Sequence, residues 1–482
     1  MNKFIGSFII IFSLVVVFLA TFKNPIEFDL GWQLRDGQYI VQNKAISREN
    51  IYSYEMPTFR WVSDSWGTNV IRYLVYDNFG FLGLTILGSI LTTLTFFIFF
   101  RIFGFRYWEI AIFSILFLYL EEAILSVGFK GQTVSYLLIA ILYTLLRKFQ
   151  DGRHGIIFLT VPLFLLWTNL HGEFFLGLAV FGLWVAGYVV KFTKLSGHLF
   201  LILAFVLSGL ITLANPYGVE LYTKSVLLHT GTEFKQIITE WYAPEVYSTE
   251  WWKLVGWGGV LAGGVILSFF QKRFLRYLPY LLPVVVLYVL SFVTQRFAWP
   301  MYLVSIPLVY PMLKLVKLRS SWAVIISFVI LIPYYLYVSF RVLPYAEIFS
   351  MDWKQFCETN GCSITANDFF YRYIKDNNVQ PGKYFTYFNW GGWLIWNYPD
   401  IKPTIDGRMS LWRDEKGYSA FEKYFKYEIG KNNIDETEYN LVLTQPIGPM
   451  AQSLRRLVAQ NKWELLYEDD LAGVWRREMN DK

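Results

Sequence analysis

Glu27 and Asp29 stand one residue apart in the segment Glu27-Phe28-Asp29-Leu30-Gly31-Trp32, just after an apolar run from Phe4 to Phe22. Ionised groups beside a bilayer are costly and are functional candidates by default. A carboxylate can take a proton from a reacting hydroxyl. Two carboxylates also permit a divalent cation, magnesium or manganese, without requiring one. The plain alternative is an acidic loop facing water.

More polar groups recur where apolar runs end. Glu121 and Glu122 are followed by Lys130 and Gln132. Another run ends in Trp167-Thr168-Asn169-Leu170-His171-Gly172-Glu173, and others are flanked by Asn215-Pro216, Glu240-Trp241 and Arg296. Lys130 and Arg296 are candidate cations for an anionic group. Asp64, Asn169, His171, Glu173 and Glu240 are candidate substrate contacts, and Trp32, Trp66 and Trp241 offer flat faces for a sugar or a lipid groove. Each has an ordinary reading as well. His171 can end a helix, Arg296 can snorkel to an interface, Asn215-Pro216 is a common helix stop, and tryptophan favours the headgroup level. A charged side chain deep in a span costs on the order of 3 kcal/mol. Several at one level therefore suggest a wet cavity, and Asp29, Glu27, His171 and Arg296 are expected around one.

Long apolar elements must position these groups. The 482 residues are 55% hydrophobic and 17% charged. Runs of about twenty apolar residues span a hydrocarbon core as helix. They fall near 4–22, 80–100, 108–126, 133–147, 156–170, 174–191, 198–214, 254–270, 275–294, 297–313 and 321–341. That predicts an α-helical polytopic membrane protein with about 11 transmembrane helices. The first run lacks a small-residue cleavage site and reads as a retained helix.

Charge orients the helices. With a cytoplasmic N-terminus, the inner connections carry Arg101/Arg106, Arg147/Lys148/Arg153, Lys191/Lys194, Lys272/Arg273/Arg276 and Lys314/Lys317/Arg319. All are basic, as the positive-inside rule requires. The net charge of +6 is thus scattered between apolar runs and implies no nucleic acid. An outer loop over 23–79, a second near 215–252 and a tail from 346 to 482 then face outward. The expected domains are 1–345, in the membrane, and 346–482, outside it. The first loop reads as two short interfacial helices, one presenting Trp32, Leu34, Tyr39 and Ile40, the other Trp66, Val70, Tyr73 and Leu74.

The tail changes character. Pro403–Ile405, Asn440–Thr444 and Gly473–Arg477 read as strands, with helices near Asp414–Tyr427 and Met450–Gln460. Lys383–Phe388 and Trp393–Trp396 read as strand or short helix. This alternation predicts an α/β layer. Asp406-Gly407-Arg408 is a tight turn whose acid and base can pair with each other or contact a ligand. Cys357 and Cys362 flank an Asn360-Gly361 turn in a disulfide-permissive compartment, which allows a bond without requiring one.

Soluble-enzyme signatures are missing. There is no Walker loop and no G-x-G-x-x-G after a strand. The histidines at 154, 171, 198 and 229 have no zinc spacing. No G-x-S-x-G elbow occurs.

The acidic pair after the first span, the tryptophan-rich outer loop, Asn169-Leu170-His171-Gly172, Trp390-Gly391-Gly392-Trp393 and Asp406-Gly407-Arg408 together resemble bacterial membrane glycosyltransferases of the GT-C type. The relatives in question are mannosyltransferases and aminoarabinose transferases that use polyprenyl-phosphate sugars. The similarity covers essentially the whole chain. It implies a GT-C fold with a C-terminal extracytoplasmic α/β domain, in the bacterial plasma (inner) membrane. It also implies transfer of a sugar from a polyprenyl-phosphate donor to a glycan, lipid or protein acceptor on the outer face. The family's acidic residue in the first outer loop maps onto Asp29, with Glu27 as its partner. Arg296 and Lys130 would then meet the donor phosphate. The chain departs at Asp64-Ser65-Trp66, where relatives often carry a histidine and an acid before the second tryptophan. The rival readings are a polysaccharide polymerase or ligase acting on lipid-pyrophosphate glycans, which would gather two or more cations, a transporter, and a non-catalytic assembly protein.

Overall fold

The computed structural model of the protein describes residues 3–191, 195–226, 239–313 and 315–478. Lys194, Lys314 and residues 227–238 of the second outer loop lie outside the described residues. The chain divides into two compact units. The first comprises Met1–Asn24, Leu84–Tyr222 and Thr230–Ile348, and the second comprises Pro25–Gly83, Thr223–His229 and Phe349–Lys482.

The regular secondary structure described in the first unit is helical. Among the described residues, 5 helices are long and apolar enough to cross a membrane: Lys3–Ala20, Trp66–Phe103, Thr249–Phe270, Phe274–Ser291 and Ser320–Arg341. Shorter apolar helices include Tyr107–Leu120, His154–Leu170, Phe174–Val190 and His198–Ile211. The protein is therefore a helical one of membrane character. Glycine sets several close approaches in this unit. Gly187 leaves no room for a side chain beside the backbone of Leu278 and Pro279, and Gly264 none beside the Leu308 carbonyl. Small residues at such contacts let helix backbones meet without a water-driven core.

Both helices expected in the first outer loop are present. Leu30–Asn43 is one, and the other begins at Trp66. Gly80, at φ 59° and ψ −154°, breaks the helical geometry and separates this second helix from the apolar one that runs on to Phe103.

The second unit contains a four-stranded mixed sheet. Its strands are β1 (Tyr384–Thr386), β2 (Leu441–Thr444), β3 (Trp463–Glu468) and β4 (Gly473–Arg477), in the order β1-β2-β4-β3. β1 and β2 are parallel, and β4 is antiparallel to both β2 and β3. β2 is buried along its whole length, as its Leu-Val-Leu-Thr sequence requires of a central strand. Pro403–Ile405, expected as a strand, is extended but outside the sheet. Pro403 has no N–H to give, and the Thr404 N–H goes to the Thr386 hydroxyl. β3 was not expected; its alternation is broken by a bulge between Leu465 and Tyr467. Trp393–Trp396 lies in the short helix Gly391–Asn397, and the helix expected from Asp414 begins only at Ala420. Cys357 and Cys362 are joined in a disulfide across the left-handed Gly361.

Candidate functional site

In the first unit, most of the sequence-derived candidates meet. Lys130 precedes the helix Gly131–Gln150, and its Nζ donates to Glu240 Oε1 at 3.0 Å. Glu240 and Trp241 sit on the turn Thr239–Trp241, and Arg296 sits on the turn Gln295–Phe297. The two turns are tied together. The Thr294 hydroxyl donates to the Glu240 carbonyl at 3.2 Å, and the Gln295 N–H donates to the Tyr242 carbonyl at 2.9 Å. This places the Arg296 guanidinium 4.8 Å above the Trp241 ring and 3.9 Å from Glu240 Oε2. The opposite side of the guanidinium lies 3.5 Å from Glu173 Oε1.

Glu173 continues the chain to His171, whose Nδ1 is 3.6 Å from Glu173 Oε2. His171 ends the helix Thr160–Leu170, with its N–H on the Trp167 carbonyl. Its Nδ1 also lies 2.7 Å from the Ser135 hydroxyl, which accepts from Trp167 Nε1 at 3.0 Å. The imidazole fills the space a side chain at position 131 would need, so glycine there lets the ring rest on the start of a helix. Ser135 is one residue the sequence reading missed. It lies one helical turn after Gly131 and so faces the same way.

The result is a run of alternating charge, Lys130–Glu240–Arg296–Glu173, that ends on His171 and is assembled from separate chain segments. Burial alone would push the Glu240 carboxyl up, but the facing Lys130 and Arg296 charges hold it below the ordinary glutamate range. Asn169 is used differently, its amide donating to the Leu165 and Ala214 carbonyls at 2.8 and 3.1 Å. Below the network, the buried Glu121 accepts from the Tyr136 hydroxyl at 3.0 Å. Lys253, also missed, pairs with Glu250 at 2.8 Å and with Glu122 at 3.8 Å.

The second unit holds Asp29, Glu27, Trp32, Asp64 and Trp66. Asp29 immediately precedes the helix Leu30–Asn43, and its Oδ1 accepts from Trp32 Nε1 at 2.8 Å. The carboxylate rests on the backbone of Gly407, where any side chain would overlap it. Gly31, two residues on, leaves no room for a side chain beside the Gly392 carbonyl, and Gly392 none beside the Phe28 carbonyl. The two glycine motifs of the tail thus have a packing role, bringing backbone against the segment that carries Asp29.

Glu27 faces elsewhere. Its Oε1 is 3.3 Å from Arg72 Nη2, and that arginine is buried. Arg72 Nη1 donates to Asn69 Oδ1 at 3.1 Å, and Asn69 Nδ2 donates to Asp36 Oδ2 at 2.9 Å. Asp36 is fully buried, and its Oδ1 has no hydrogen-bond partner among the described residues. Burial pushes its carboxyl up to about 6, against the Asn69 and Ser63 hydrogen bonds and the Arg408 charge. Asp29, Trp32 and Asp36 share a face of one helical period, a signal present in the sequence but not used there.

Asp406 and Arg408 pair with each other, as one of the two sequence readings had it. Arg408 Nε donates to Asp406 Oδ1 at 2.7 Å and Nη2 donates to Oδ2 at 2.6 Å. The guanidinium is ringed by Trp61 at 4.7 Å, Tyr52 at 4.8 Å, Trp412 at 5.3 Å and Trp32 at 5.9 Å. Asp64 accepts from the Ser65 hydroxyl and the Ser225 hydroxyl, each at 2.9 Å. Trp66 opens the long helix. Among the described residues, no three His, Cys, Asp or Glu side chains are grouped to hold a metal ion.

Compared with known proteins, the chain matches no family model and no curated protein.

Proposed function

We propose that this chain is a membrane glycosyltransferase that moves a sugar from a polyprenyl-phosphate donor to an acceptor hydroxyl on the outer face of a bacterial plasma membrane. In this reading the eleven apolar segments all cross the membrane, in a GT-C arrangement, with the N-terminus cytoplasmic and the tail outside. The observation that carries it is the network of Lys130, Glu240, Arg296, Glu173 and His171 over Trp241. Arg296 on the face of Trp241 offers a cation and an aromatic floor, which suit a sugar phosphate.

The chemistry is a single displacement. The acceptor oxygen attacks the anomeric carbon and loses its proton to Asp29. The bond from that carbon to the phosphate oxygen breaks, and its electron pair stays on the phosphate. Arg296 and Lys130 offset the charge that gathers there. Asp29 suits the base role because Trp32 and Gly407 fix its carboxylate in place. Glu27, bound to Arg72, supports the shape of that segment.

One observation favours a second reading. Two cations on one carboxylate also meet the requirement of a lipid-pyrophosphate glycan, the substrate of a polymerase or ligase. Purified protein in detergent should be offered radiolabelled sugars on polyprenyl phosphate and on polyprenyl pyrophosphate. Transfer from the monophosphate alone is the expected result. Transfer only from the pyrophosphate would install the second reading, and transfer from neither would remove both.

A further inference from the structure

Lys130 and Arg296 are already partnered by the protein. Glu240 Oε1 is 3.0 Å from Lys130 Nζ, and its Oε2 is 3.9 Å from Arg296 Nη1. One carboxylate therefore occupies both cations assigned to the donor phosphate. Lys130 and Arg296 balance Glu173 and Glu240 in charge. An incoming phosphate must compete with an internal anion.

The competition changes sides during the reaction. A polyprenyl-phosphate sugar is a phosphodiester with one negative charge. Breaking its sugar–phosphate bond leaves a phosphate monoester, which carries about −1.5 to −2 at neutral pH. Two fixed cations alone would hold that product more tightly than the donor, and turnover would stall on release. Glu240 is built to oppose this. It stays ionised in its half-buried position because the two cations hold it so. Its backbone is also held, through its carbonyl to the Thr294 hydroxyl, so the side chain can leave the cations while the two turns stay tied together.

We propose that Glu240 is an internal counter-anion that yields Lys130 and Arg296 to the donor phosphate and reclaims them to expel the polyprenyl-phosphate product. This rests on the transferase reading above. Glu240 is a positioning and release residue; it makes and breaks no covalent bond. Trp241 beneath Arg296 and Glu173 beyond it keep the guanidinium in place while Glu240 is displaced.

The test is inhibition by the product. Polyprenyl phosphate without sugar is titrated against the wild type, Glu240→Gln and Glu240→Asp, in full-length protein. Inorganic phosphate is titrated in parallel to separate headgroup recognition from recognition of the lipid. In Glu240→Gln the inhibition constant for polyprenyl phosphate should fall about tenfold or more, the equivalent of losing one close charge, and the donor KM should fall less. Glu240→Asp, with its carboxylate drawn back, should lie between the two. A matching fall for inorganic phosphate assigns the effect to the phosphate alone, and a fall confined to the lipid form assigns it to the whole headgroup; either supports displacement. An inhibition constant that is unchanged or higher in both variants overturns the proposal while leaving the transferase reading standing. A wild type that neither transfers sugar nor binds polyprenyl phosphate removes the transferase reading and this proposal with it.

Discussion

Asp29 and Glu27 are near neighbours in sequence with different partners in space, and their substitutions should separate accordingly. Asp29→Asn keeps size and the contact with Trp32 but cannot take a proton at neutral pH. Turnover should fall by about 10²–10⁴-fold, with the donor KM changed less. Unchanged turnover would take Asp29 out of the mechanism. Glu27→Gln should act on stability, because it removes the ion pair that Glu27 makes with the buried Arg72, at a cost of about 1–3 kcal/mol. Its thermal midpoint in detergent should drop. A normal midpoint with lost turnover would move Glu27 into the chemistry. Asp36 gives a pH signature. Its folded carboxyl titrates at about 6 rather than at 3.8. Between those values only the folded state holds the proton, so stability is greatest at the acid end, falls as pH rises to about 6 and is level above. The range is about 3 kcal/mol for a shift of roughly two units. Unfolding followed from about pH 4 to about pH 7 should show a flatter profile in Asp36→Asn than in the wild type. An identical slope would mean that Asp36 is ionised throughout.

At the level of elements, glycine decides what the sequence could only hint at. Gly391-Gly392 and Gly407 were noticeable as motifs, but their meaning lies in close contacts with the Phe28 and Ile405 carbonyls and the Asp29 carboxylate. Gly407→Ala would drive a methyl group into the Asp29 carboxylate. Transfer should fall by at least tenfold even where the protein still folds, because Asp29 must turn away; overpacking typically costs about 1–3 kcal/mol in stability as well. Retained turnover would show that the position of Asp29 is not critical. The apolar helices were legible because their period and length are strong signals. So was the junction at Gly80, where an amphipathic stretch gives way to an apolar one and the backbone leaves helical geometry. β3 was hidden by its bulge, and Pro403–Ile405 mimicked a strand through composition alone.

For the whole molecule, each predicted apolar segment falls on helix, and the basic connections give an orientation that can be tested. Protease added to intact spheroplasts should cleave within the tail while a cytoplasmic control stays whole. A protected tail beside a protected control would reverse the topology. The candidate residues of the first unit could be listed from sequence because polar groups at the ends of apolar runs are conspicuous. Their pairing could not, since Lys130, Glu173, Glu240 and Arg296 come from distant segments and only the fold says which cation meets which carboxylate. Ser135 and Lys253 were passed over because a hydroxyl and an amine inside apolar helices look like isolated exceptions until a partner is seen.

The helix Leu30–Asn43 carries glutamines, an arginine, an aspartate and an asparagine, a composition that in isolation would fray and exchange its amide hydrogens with solvent quickly. Gly31 holds it against the Gly392 carbonyl and Gly37 against the Asn69 carbonyl, so backbone closes over backbone on both contacts. Its central amides can exchange only when those contacts open together. In deuterated buffer this polar helix should therefore keep its hydrogens on the time scale of β2, and release them far later than the equally polar helix Pro449–Ala459, which contains no glycine.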